Sequence, residues 1–296
     1  MNSFPENAEP VPVTASEAVP PGVPAAPPAI VKAAPQDPPW SGFDVLHILL
    51  MGVVALVATV IVLLLTSSGS SLKARANALG AHPELEIIGQ MGAYLALLGY
   101  MYILVTKERR CPRFWEAIQW NWPKATSWYL LGGVLLQAIF LVIEWKLKRF
   151  IPKETPFDAL MRRPYTVALI AIFSITLGPL MEELFFRGFL YPVLKRRFAV
   201  IAGVFFTAPA LQQRCGVAVG VFITALGFGL VHAAQYGYSW LSVALISIVG
   251  VVLAVVRENR NSVAAGFLVH VGYNATIMTL LFAATDGFRH MEKLNP

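Results

Sequence analysis

Charge is what this chain has least of. Asp, Glu, Lys and Arg make up 14% of its 296 residues, against about 25% in soluble globular proteins. That shortage excludes an ordinary water-facing surface. Cysteine is almost absent: Cys111 and Cys215 are the only two, and they offer neither a disulfide framework nor a metal-ligand spacing. There is no Gly-rich phosphate loop, heptad array or internal repeat. The first 39 residues lack the basic start and short apolar core of a signal peptide.

In place of charge there are long apolar runs; 56% of the chain is hydrophobic. About 20 apolar residues span a bilayer as a helix. Residues 45–66, 87–106 and 126–143 contain no Asp, Glu, Lys or Arg, and 165–181 is uncharged up to a pair of glutamates. Residues 215–256 are uncharged over a length sufficient for two passes, with Tyr236-Gly237-Tyr238-Ser239 as the turn, and 261–285 forms another. A shorter stretch, 199–213, holds Pro209 and is expected to be a tilted or half-buried eighth helix. These runs do not alternate as barrel strands do, and only helices or closed barrels satisfy the backbone in lipid. The expected fold is all-α, a polytopic transmembrane bundle of seven to eight helices.

Residues 1–39 are different material: eleven of the 21 prolines fall there, mixed with Ala, Val and Glu. Such a composition builds no core and reads as a disordered tail. The expected division is this tail, N-terminal transmembrane helices over 40–158 and a catalytic transmembrane domain over 159–290. The net charge of +6 comes from basic clusters at the ends of the apolar runs, such as Lys195, Arg196 and Arg197. That pattern fits helices flanked by lipid headgroups and does not point to nucleic acid. Because successive loops are all basic, they select no orientation.

Against this background Glu182 and Glu183 stand out. A carboxylate at membrane depth costs roughly 2.5–3.5 kcal/mol on insertion scales. Adjacent helical residues point about 100° apart, so the two cannot share a direction. Arg187, four residues after Glu183, shares that residue's face. Glu183 is therefore expected to pair with Arg187, leaving Glu182 for another task, over Gly178, where a missing side chain leaves room for water or another helix. The plainer reading is a buried ion pair that helps helices associate. Two histidines also interrupt apolar runs. His232 follows Phe228 by one turn, and His270 shares a face with Asn274. Taken singly, each is most simply an interhelical hydrogen-bonding group worth about 1 kcal/mol. Taken together they are the parts of a hydrolytic site. Glu182 and His232 can hold and deprotonate a water, and His270 and Asn274 can stabilise an oxyanion.

The sequence Glu182-Glu183-x-x-x-Arg187, then Phe228-x-x-x-His232, then His270-x-x-x-Asn274 resembles the three-motif signature of the CPBP family. This family comprises the type II CAAX prenyl endopeptidases and their bacteriocin-immunity-type intramembrane relatives. The resemblance covers about residues 165–285. It implies a helical bundle with a conical cavity open to the membrane, Glu182 as general base, and His232 helping to bind the water. It further implies that Glu183 and Arg187 hold the site in shape while His270 and Asn274 form the oxyanion hole. The implied partners are the bilayer and a membrane-associated protein or peptide substrate, prenylated in the CAAX type. The implied location is a multi-pass protein of a bacterial plasma membrane. No cofactor is expected. Zinc is the alternative, since two histidines and a glutamate can make a three-ligand site, although the compact His-Glu-x-x-His arrangement is absent. A non-catalytic scaffold or immunity-type binding protein is the competing function. A transporter is disfavoured by the confinement of the polar groups to three short sites and by the lack of an inverted repeat.

Overall fold

The computed structural model describes residues 38–294 except 153 and 162; most of the expected proline-rich tail, 1–37, lies outside the described residues. Among the described residues there are helices and no strand. Seven helical stretches are long and apolar enough to cross a membrane.

α1 (Gly42–Thr66) begins at a capping box in which the Ser41 N–H and hydroxyl both reach the Asp44 carboxylate. Only Asp44, Val45 and Ile48 of this helix are buried. The rest of α1 turns Leu46, Val53, Val57, Val60 and Leu65 outward, as a lipid-facing helix does. A short α2 (Leu72–Gly80) leads into α3 (Pro83–Ile103), which packs antiparallel beside α1 and ends in a π-turn, Leu104–Glu108. There Arg109 pairs with Asp44 and closes the two helices together. After α4 (Phe114–Ala117), α5 (Thr126–Leu147) makes the third crossing, and the one-turn α6 (Pro156–Leu160) follows.

The fourth crossing is a single 39-residue path, Pro164–Ala202, built from α7 (Pro164–Ile175), α8 (Leu177–Glu183), a π-helix (Leu184–Leu190) and α9 (Tyr191–Ala202). Its break at Thr176 (φ −119°, ψ −90°) lies three residues before Pro179, whose ring excludes a normal helical carbonyl at Ile175. α10 (Pro209–Val231), α11 (Trp240–Arg260) and α12 (Val263–Ala284) complete the bundle. The turn at Tyr236–Ser239 falls between α10 and α11, as its sequence indicates. The expected eighth helix over 199–213 does not form. α9 stops at Ala202, turns follow, and Pro209 opens α10 at a position that needs no amide donor.

Two close approaches set the geometry around the site. A Cβ on Gly133 of α5 would stand 2.1 Å from the Val269 carbonyl, and one on Gly272 of α12 would stand 2.3 Å from the Leu130 carbonyl. The backbones of α5 and α12 therefore touch, as small residues permit in membrane bundles. Beneath the glutamates a cluster of Phe140, Phe186, Phe228, Leu245, Val249, Leu253 and Val269 joins α5, the π-helix, α10, α11 and α12. Exposed Trp122, Trp128, Trp145, Tyr165, Tyr238 and Trp240 lie at or beside helix ends, the usual place of an interfacial aromatic belt.

Candidate active site

Glu182 and Glu183 sit at the last turn of α8, where the chain passes into the π-helix. The two carboxylates have different surroundings. Glu183 is fully buried, and its Oε1 accepts from Arg187 Nη1 at 2.9 Å and from His270 Nδ1 at 3.1 Å. Arg187 is equally buried. Its Nη2 donates to the Gly250 carbonyl at 3.0 Å, and its guanidinium carbon lies 4.6 Å from the centre of the Phe228 ring. A carboxylate, a guanidinium and an imidazole are thus locked together inside the bundle.

Glu182 is about one-fifth exposed at its side chain, and so is His232. Glu182 Oε1 is 3.8 Å from His232 Nε2, and its Oε2 is 3.7 Å from His270 Nε2. The protonation of each ring at Nδ1 follows from its partner. His232 Nδ1 lies 2.8 Å from the Phe228 carbonyl, which can only accept, so that nitrogen carries the hydrogen. By the same argument His270 Nδ1 donates to the Glu183 oxygen that already accepts from Arg187. Both Nε2 atoms are left facing Glu182. Phe228 packs against both imidazoles, at 5.0 and 5.6 Å between ring centres.

The structure therefore brings Glu182, Glu183, Arg187, His232 and His270 together. Asn274 is placed one step away: its Nδ2 donates to the Ser174 carbonyl at 2.6 Å, at the break between α7 and α8. One expectation is corrected. The space over Gly178 is not open to water or another helix, because Phe173 fills it; a Cβ there would meet the Phe173 carbonyl at 3.1 Å. Two cavities lie away from the motif residues. One is bounded by His82, Glu84, Arg163 and Leu169, the other by Ala171, Met278 and Phe282, and no motif residue lines either. Access to the site is through the exposed edges of Glu182 and His232.

Sequence reasoning missed Gly266. A Cβ on it would stand 2.7 Å from Glu183 Oε2, so only glycine leaves that carboxylate its place. Its position one helical turn before His270 was the available signal. The Gly250 and Ser174 carbonyls have no side-chain signal at all.

Residues 164–276 match the family model of Rce1-like proteins, the type II CAAX prenyl endopeptidases. Across these helices the chain is similar to Rce1-like proteins. The matched segment runs from the first residue of α7 to just past Asn274, so it holds every motif residue while α1 to α6 lie outside it. The seven apolar helices, together with this similarity to a family of membrane proteases, support an integral multi-pass membrane protein. No curated protein and no solved structure matches the chain. Among the described residues no group of three or more His, Cys, Asp or Glu is arranged to hold a metal ion.

Proposed function

We propose that this protein is a glutamate-dependent intramembrane endopeptidase that cleaves a peptide bond of a membrane-associated protein, with a prenylated CAAX-type chain as the substrate class. The observation that carries the reading is the unequal treatment of two adjacent glutamates. Glu183 is spent on a buried ion pair, while Glu182 stands partly exposed between two imidazole Nε2 atoms. The 3.7 and 3.8 Å gaps are too long for direct hydrogen bonds and are of the size a bridging water closes.

A water held there donates one hydrogen to His232 Nε2 and the other to Glu182. Glu182 takes its proton as the oxygen attacks the scissile carbonyl, then returns that proton to the departing amine. The oxyanion forms on the side of α12. The groups on that side are His270, whose Nε2 faces Glu182, and Asn274, which has a second Nδ2–H beyond the one given to Ser174. Glu183 and Arg187 fix the His270 ring. In this reading the protein resides in a bacterial plasma membrane, residues 40–158 flank the site, and residues 159–290 carry the chemistry.

The test is cleavage of a farnesylated CAAX peptide by purified wild type and Glu182→Gln in nanodiscs, followed by mass spectrometry. Cleavage by wild type and none by the variant is expected. Equal cleavage by both would remove Glu182 from the reaction. Binding without cleavage by either would move the protein to the scaffold class.

A further inference from the structure

Pro192 leaves a gap that another residue fills. Across the π-helix the Tyr191 N–H donates to the Phe186 carbonyl, five residues back. In that register the next donor would be the amide of residue 192 and its acceptor the Arg187 carbonyl, but proline has no N–H. The carbonyl of the fully buried Arg187 thus lacks its backbone partner, a costly state for a buried polar group.

Arg257 of α11 provides the donor. Its side chain is buried, with 3% of the residue exposed, and its Nε donates to the Arg187 carbonyl at 3.3 Å. Its Nη2 donates to Gln119 Oε1. Among the described residues Arg257 makes no ion pair, and the neighbouring Glu258 is taken by Lys195 and Tyr191. A buried guanidinium with no direct ion pair needs another reason to be there. Gln119 lies between α4 and α5 in the left-handed region (φ 59°), and its own carbonyl accepts from the Val263 amide, at the first residue of α12, at 3.0 Å. Through Gln119 and Arg257, the helix carrying Glu182 and Glu183 is tied to the start of the helix carrying His270 and Asn274. Gln119 lies outside the Rce1-like segment.

We propose that Arg257 is a positioning residue that stands in for the amide Pro192 lacks and, with Gln119, holds the glutamate pair in register with His270. This deepens the endopeptidase reading and rests on it for its kinetic consequence. The experiment compares full-length wild type, Arg257→Met, Arg257→Lys and the double variant Arg257→Met with Pro192→Ala. Peptide cleavage and hydrogen exchange of the 184–195 backbone are read on each.

Arg257→Met should lower kcat by about tenfold or more with little change in KM, the signature of a displaced catalytic group, and should speed exchange across 184–195. Pro192→Ala restores an amide at that position, so the double variant should recover much of both losses. Arg257→Lys, which keeps a cationic donor group on a shorter, non-planar head, should fall between; it carries the comparison if Arg257→Met does not fold. Wild-type kcat and exchange in the Arg257 variants would overturn the proposal, as would losses that Pro192→Ala leaves untouched. If wild type cleaves no peptide, the endopeptidase reading fails on its own. The clamp is then decided by exchange alone: restored protection in the double variant supports it, and its absence overturns it.

Discussion

Replacing Gly266 with alanine tests the site at its tightest point. The new Cβ would stand 2.7 Å from Glu183 Oε2 and 3.6 Å from its carboxyl carbon. Carbon and oxygen meet comfortably at about 3.3–3.6 Å, so the carboxylate must retreat by more than half an ångström. An unattached glutamate tip would do so at little cost. This one is held at its other oxygen by Arg187 and by His270, and neither donor can follow it freely inside the bundle. Overpacking of this kind costs about 1–3 kcal/mol, and loss of the charged hydrogen bond to His270 is worth about 1.5–3 kcal/mol. Since about 1.4 kcal/mol is a factor of ten, turnover should fall by at least about tenfold even where the protein folds. Cleavage kinetics and thermal unfolding of Gly266→Ala would be measured beside Gly92→Ala, a helical glycine whose Cβ would meet nothing within 4 Å. Normal activity and stability in Gly266→Ala would refute the claim that Glu183 is held rigidly. Equal losses in both variants would show only a generic cost of altering helix glycines.

Three further outcomes are expected. Glu183→Gln strands the buried Arg187 guanidinium without its anion and should destabilise the protein by about 3–5 kcal/mol, read as a lowered thermal midpoint along with lost cleavage. Asn274→Ala removes the donor to the Ser174 carbonyl at the break before α8; it should cost about 1 kcal/mol of stability and lower kcat, since the same break aims Glu182. Treatment with a metal chelator should leave cleavage unchanged; loss of activity that zinc restores would show that a metal takes part.

The sequence by itself determined the class of the molecule. Apolar runs of helix-spanning length, too uncharged for water, leave the backbone no alternative to a helical bundle, and the runs at 45–66 and 126–143 became α1 and α5 almost unaltered. The helix period also settled that Glu183, not Glu182, lies on the face of Arg187, because a four-residue spacing is a local property. What depends on helix-to-helix contact was decided only by the tertiary structure. Nothing local says that the His270 ring crosses to Glu183, that Asn274 caps a broken helix at Ser174, or that Phe173 occupies the space over Gly178. The eighth helix failed for a local reason: Pro209 begins a helix more readily than it continues one. Gly266 and Arg257 stayed hidden because their roles lie in the carboxylate and the carbonyl they face, and those partners come from a different helix. The division of labour between two neighbouring glutamates is written in their spacing. The packing of α10, α11 and α12 around them makes one a strut and leaves the other partly exposed.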